Sequence, residues 1–181
     1  MSNRDVSIYI SYILRHNPGD IGLELGQYGY VDVNDLILGV NKKYSANVLN
    51  FDTLKEIVEH DSKKRYSFSE DFTKIRANQG HSIPIDLGLN PIEPPSVLYH
   101  GTASRFVMDI KEKGINKMSR NHVHLSDNME TALAVGSRHG SPFVLIIDSK
   151  KMYEDGISFY MSENGVWLTD FVDPKYITNL P

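Results

Sequence analysis

Arginines and histidines recur in this chain where regular elements give way to loops. Arg15-His16 ends the string SYILRH, Lys63-Lys64-Arg65 leads into YSF, and Arg76 precedes Asn78-Gln79-Gly80-His81-Ser82. Tyr99-His100-Gly101-Thr102 closes an apolar run, Arg120 opens SRNHVHLS, and Arg138-His139-Gly140 follows a helical pattern. Forked guanidinium donors and imidazoles in loops, with no obvious carboxylate pair among them, suit the binding of an anion, above all a phosphate. Each string also has a plainer reading. A cation at a helix C-terminus complements the helix dipole, Lys63-Lys64-Arg65 reads equally as a solvated face, and residues 78–82 as a structural turn around Gly80. Gly101 would let a ligand approach the backbone, and His100 reads equally as a half-buried structural histidine. His122 and His124 alternate with Val123 and Leu125 as on a strand. Two histidines so spaced can ligate a metal, but no cysteine or third ligand stands near them, and no metal site is expected.

Other chemistries are excluded by what is missing from the sequence. There are no cysteines, which removes disulfides, cysteine–zinc sites and a thiol nucleophile together. There is no Walker-type loop, dinucleotide glycine fingerprint or nucleophilic-serine elbow. No apolar run approaches the roughly 18 residues that span a bilayer. The N-terminus shows no signal-peptide pattern, so a cytoplasmic protein without a membrane partner is expected.

The elements that must carry these residues read as an α+β chain in two lobes. Residues 3–15 place Val6, Ile10, Ile13 and Leu14 near one helical face, capped by Ser2 or Asn3 and stopped at Asn17-Pro18-Gly19. YVDV is strand-like, with Asp32 or Asn34 able to cap a short helix, and residues 51–60 form another amphipathic helix. Residues 63–68 and 74–77 then read as a small hairpin. Helices followed by a hairpin is the pattern of a winged-helix lobe, placed at residues 1–90. LGLNPIEPPSV holds three of the eight prolines, and residues 91–96 are taken as the linker. Residues 97–181 make a strand-rich lobe with few helices. Its strands are VLYHGT, VHLS, FVLIID and two more around the Asn164-Gly165 turn, and its helices run from about Ser104 to Lys113 and from about Asn128 to Arg138.

Read in order, SYILRHNPGDIGLELGQYGYVDVNDLI, KKRYSFSEDFTKIRANQGHSIPIDLGL, LYHGTASRF, SRNHVHLS and GVWLTDFVDPKYI resemble the NAD⁺-dependent RNA 2′-phosphotransferases of transfer-RNA splicing, over about residues 5–177. The resemblance implies an N-terminal winged-helix lobe for RNA and a C-terminal lobe related to ADP-ribosyltransferases for NAD⁺. It implies removal of an internal RNA 2′-phosphate through an ADP-ribosylated 2′-phosphate intermediate. The products would be nicotinamide, 2′-OH RNA and ADP-ribose 1″,2″-cyclic phosphate. The family's catalytic quartet falls on Arg15, His16, Arg65 and Arg120, all intact. Its NAD⁺-lining elements fall on His100, Gly101 and Thr102 and on His124, Leu125 and Ser126. Asn17 stands where many members have another residue. Arg76, Gln79, His81 and Arg138 are further candidates for holding the RNA. NAD⁺ is expected as a consumed co-substrate with no metal, an RNA carrying an internal 2′-phosphate, such as a transfer RNA, as the partner, and a monomer as the assembly. The competing readings are an enzyme that ADP-ribosylates terminal phosphates of nucleic acid or a protein, and a non-catalytic winged-helix nucleic-acid binder; related transferases hold the ribose with a glutamate in the region of Glu163, which reads equally as part of the SENGV turn.

Charge bears on the choice. The 181 residues carry a net charge of −4. Residues 1–90 hold 10 Lys plus Arg against 12 Asp plus Glu, and residues 91–181 hold 9 against 11, so neither half is basic. Broad, non-specific coating of RNA is disfavoured. A small pocket is compatible with that total, and Arg15, Arg65 and Arg120 are expected to converge on one phosphate.

Overall fold

The structure, a computed structural model, describes residues 2–181 and divides into two units, one ending at Gly88 and the other starting at Leu89. Among the described residues there are six α-helices and several small sheets, a mixed α and β architecture in which helices and strands both appear in each unit.

In the first unit α1 spans Asn3–Arg15. Ser2 and Asp5 form a reciprocal capping box, so two otherwise orphaned amides are satisfied at its start. Val6, Ile10, Ile13 and Leu14 are its buried face. Pro18 cannot continue a helix, and a 3₁₀ turn over Pro18–Ile21 follows, closed by Gly22 at φ 73°. The strand read at YVDV is only β1, Val31–Asp32. The Asp32 carboxylate accepts from the amides of Asn34 and Asp35, so α2 starts at once and spans Val33–Tyr44. Helix α3 spans Phe51–Glu59 under an Asn50 cap. β2 (Tyr66–Phe68) and β3 (Lys74–Ala77) pair antiparallel, and β1 pairs with the other edge of β3. β3 is therefore central, and Ile75 on it meets Ile10, Ile13, Leu14, Leu36 and Leu54 in one fully buried cluster. Truncating any of these to alanine costs about 2–5 kcal/mol.

In the second unit β4 (Val97–Ala103) leads through a 3₁₀ turn to α4 (Val107–Lys113), so the expected helix begins three residues late. β5 (Ile115–Asn116), β6 (Val123–Leu125) and α5 (Met129–Gly136) follow. β7 (Pro142–Asp148) runs antiparallel to the whole of β4. It passes into α6 (Ser149–Glu154), then β8 (Tyr160–Met161), β9 (Trp167–Thr169) and β10 (Phe171–Val172). β9 lies between β6 and β8, β5 pairs with β10, and backbone hydrogen bonds between Tyr99 and Ser126 join β4 to the end of β6. With three helices this unit is more helical than the sequence suggested.

Two glycines let α5 lie directly on β4. A Cβ built on Gly101 would stand 1.7 Å from the Ala132 carbonyl oxygen, and one on Gly136 would stand 2.7 Å from the Thr102 oxygen. The space beside Gly101, expected to admit a ligand, is filled by helix backbone.

Candidate functional site

In the first unit the loop after β3 is the structural joint. Asn78 is buried, its amide donates to the Arg65 carbonyl at 2.8 Å, and its side-chain Nδ2 donates to the Lys64 carbonyl at 2.8 Å. The Ser67 hydroxyl donates to Asn78 Oδ1 at 2.7 Å and completes that end. Four residues on, the Ser82 amide donates to the Arg15 carbonyl at 3.0 Å, and the Ser82 hydroxyl lies 2.9 Å from His16 Nδ1. Between them Gly80, at φ 88°, presses its Cα towards the Arg15 guanidinium, where a Cβ would lie 3.7 Å from Cζ. Residues 78–82 thus hold the strand entry that carries Arg65 and the helix end that carries Arg15 and His16.

Each of these side chains is held in its own way. Arg65 forms an ion pair with Asp61, whose side chain is only 5% exposed, and the same carboxylate accepts the Arg65 amide at 2.6 Å. His16 is exposed, with the Tyr12 ring 6.1 Å away on the preceding helical turn. His81 is buried to 1%. Burial, reinforced by the positive charge of Arg15, His16 and Arg76, pushes its pKa down to about 4, so the ring is neutral at neutral pH.

Arg76 sits elsewhere in the architecture. It is buried, donates from Nη1 to the carbonyls of Tyr28 (3.2 Å) and Leu87 (3.3 Å), and stacks 4.8 Å from the Tyr30 ring centroid. Its guanidinium ties β3 to two flanking loops. Gln79 is half-buried in the 78–82 loop.

In the second unit the histidines form a relay of contacts. His100 Nδ1 lies 3.0 Å from the His124 carbonyl and must donate to it. Burial lowers the His100 pKa from its ordinary value, with the Arg120 charge acting the same way and that hydrogen bond opposing, so the ring stays neutral. Arg120 Nη1 lies 2.9 Å from His124 Nδ1. A guanidinium can only donate, so His124 Nδ1 carries the lone pair. Arg120 itself is exposed, with an imidazole rather than a carboxylate against it, so its charge is not cancelled by this contact. Ser126 donates through its hydroxyl to the Asn128 carbonyl at 3.0 Å.

The remaining candidates are distributed around this relay. The pleat of β4 sets His100 and Thr102 on the face of Leu98 and turns Gly101 to the α5 side, dividing one sequence motif between two surfaces. Leu125 is buried in the core beside Val123. Arg138 is exposed on the 3₁₀ turn after α5, and Glu163 is exposed in the turn between β8 and β9.

Comparison with known proteins places the sequence in a family. The family model described as RNA 2′-phosphotransferase, Tpt1/KptA family, matches residues 2–171. The chain belongs to the Tpt1/KptA RNA 2′-phosphotransferase family. A relative in Flavobacterium johnsoniae, named "Probable RNA 2′-phosphotransferase", is 51% identical over 96% of this chain and 94% of its own. One of the same name in Acaryochloris marina is 51% identical over 97% and 96%. A third, in Agrobacterium fabrum, is 49% identical over 95% and 91%.

Within this Tpt1/KptA chain the supporting residues were the least visible in sequence. Asp61 had one available signal, an acid four residues before Arg65 next to a helix end. Ser82 had none beyond its place in a polar loop, because its contact to His16 crosses 66 positions of chain.

Proposed function

We propose that this protein transfers an internal RNA 2′-phosphate to NAD⁺, releasing 2′-OH RNA, nicotinamide and ADP-ribose 1″,2″-cyclic phosphate. The observation that carries this reading is the 78–82 loop, which ties Arg15, His16 and Arg65 into one bonded array within a chain of the Tpt1/KptA family. Helices α1 to α3 followed by the β2–β3 hairpin support a winged-helix reading of the first unit. The second unit supports an NAD⁺-binding reading. Neutral His100, Thr102 and Ser126 offer uncharged hydrogen-bonding groups, and Arg120 opposes no acid at His124, which suits an anionic dinucleotide.

In the first step an oxygen of the 2′-phosphate bonds to C1″ of the nicotinamide ribose. The glycosidic bond breaks and its electron pair leaves with nicotinamide, which departs neutral and needs no strong acid. Arg15 and Arg65 neutralise and orient the phosphate dianion, and Arg120 contributes phosphate neutralisation as well. In the second step O2″ bonds to phosphorus, the bond from phosphorus to the RNA O2′ breaks, O2″ loses a proton and O2′ gains one. His16 serves that proton exchange, as donor to the leaving O2′ or base for O2″. Guanidinium charge does the electrostatic work throughout, and no step calls on a metal.

An oligoribonucleotide bearing one internal 2′-phosphate, incubated with and without NAD⁺, tests the proposal. Loss of the phosphate with stoichiometric nicotinamide and cyclic-phosphate release, only when NAD⁺ is present, is expected. Label from NAD⁺ retained on the RNA as the final product, or dephosphorylation without NAD⁺, overturns it.

A further inference from the structure

We propose that Tyr12 is a substrate-binding residue whose ring stacks on the nucleobase of the nucleotide that carries the 2′-phosphate, a reading that rests on the proposed function, which brings that phosphate to Arg15, His16 and Arg65. Tyr12 stands on α1 one turn before His16, so the two side chains share one side of the helix end. Their ring centroids are 6.1 Å apart. The buried face of α1 is Val6, Ile10, Ile13 and Leu14; Tyr12 lies outside it and is 44% exposed.

A lone aromatic ring on a protein surface is ordinary. Tyr12 differs in being held. Its hydroxyl accepts from Asn17 Nδ2 at 3.1 Å, and its carbonyl accepts the His16 amide at 2.9 Å and the Asn17 amide at 3.2 Å. It also belongs to a row of rings that ends at His16. Tyr44 meets Tyr9 edge-on at 5.2 Å, and Tyr9 lies 6.5 Å from Tyr12 at a tilt of 31°. Tyr9 and Tyr44 are half-buried, and the Tyr9 hydroxyl donates to Asp20 at 2.6 Å. Tyr12 is therefore the tyrosine of the row whose ring is open to a ligand, and little ordering remains to be done when a base arrives.

The chemistry of the ligand supplies the partner. In a nucleotide the 2′-oxygen is carried by C2′ and the base by the adjacent C1′. A phosphate on that oxygen, held at Arg15 and His16, keeps its own base close by. Every base has a flat π face, and single-stranded RNA is bound by stacking such faces on aromatic side chains. A stacked ring does not read the hydrogen-bonding edge of the base, so the contact requires a base and is indifferent to which one.

The test uses the full chain and short fluorescent oligoribonucleotides with one internal 2′-phosphate, bound without NAD⁺ so that no turnover occurs. One probe keeps the base on the phosphorylated nucleotide, a second lacks only that base, and a third has a 2′-hydroxyl in place of the phosphate. Tyr12→Leu is expected to weaken binding of the first probe about 10-fold, the size of one lost stack, and to leave the abasic probe unchanged. Tyr12→Phe, which keeps the ring, is expected to bind as the wild type does. With 2-aminopurine as the base, fluorescence should be quenched on binding to the wild type and to Tyr12→Phe but not to Tyr12→Leu. Equal losses on the base-bearing and abasic probes, as a merely structural role of Tyr12 would give, overturn the inference, and so does no loss on either. The third probe reads the functional reading by itself: a wild type with no phosphate-dependent binding refutes the proposed function and removes the inference with it.

Discussion

The Arg65 guanidinium and the Arg65 backbone amide both end on one carboxylate, that of Asp61. The pairing fixes the side chain at its tip and at its root. It engages Nη1; under the proposed function the Nε–Nη2 edge is the one that would fork to two phosphate oxygens. Asp61→Asn keeps an oxygen for the amide and discards the charge. A fall in kcat of about 10-fold with little change in the NAD⁺ KM is expected from steady-state kinetics. Thermal melting should show a loss of about 1–3 kcal/mol, since Asp61 is enclosed and its partner is not.

His16→Ala and Arg65→Ala should both stall after the first step. ADP-ribosylated RNA 2′-phosphate should accumulate in each, visible by mass spectrometry of the RNA. If both variants lose NAD⁺ binding and no intermediate appears, the division of labour between the two steps is wrong. Arg65→Lys should recover only part of the activity, because an ammonium cannot fork to two phosphate oxygens.

His81 makes stability pH-dependent. Its folded pKa of about 4 lies below its unfolded value of 6.5, so the unfolded chain binds more protons between those limits. The neutral ring's contribution is complete above pH 6.5 and is lost as pH falls towards 4, on the order of 3 kcal/mol in all. Denaturant titrations from pH 7 to pH 4 should show this slope in the wild type. His81→Gln, which does not titrate, should flatten it; an equal slope in both proteins would refute the assignment.

Gly101→Ala should be among the most damaging single-methyl changes available. The new carbon would collide with the Ala132 carbonyl, which is backbone and cannot rotate away. A loss of about 3 kcal/mol or more is expected from chemical denaturation. Gly165→Ala is the comparison: its φ is 76° and nothing lies within 4 Å, so only the left-handed backbone cost of about 1 kcal/mol applies.

What the sequence disclosed depended on periodicity and length. Helix α1 was legible because Val6, Ile10, Ile13 and Leu14 repeat through three turns of one face, and β3 because turn residues bound it on both sides. Helix α6 was not, since SKKMYE is too short to show a period, and β5 and β10 are two residues each. Of the two caps that the sequence offered for α2, Asp32 is the one used, so Val33, which the strand-like YVDV string included, is the first helical residue. At the candidate site the strings holding Arg15, His16, Arg65 and Arg120 were visible by resemblance. Their supports were not, because Asn78 and Ser82 act on residues far away in the chain, and the buried setting of Arg76 depends on Tyr28, Tyr30 and Leu87 arriving from elsewhere.

The two anchors of the 78–82 loop give it a property that ordinary loops lack. Asn78 grips one piece of chain and Ser82 another, so the span between them acts as a ruler. Adding or deleting a single residue there would shift one anchor past its mark. Natural and engineered length changes in this chain should therefore avoid one irregular stretch of five residues as strictly as they avoid its helices.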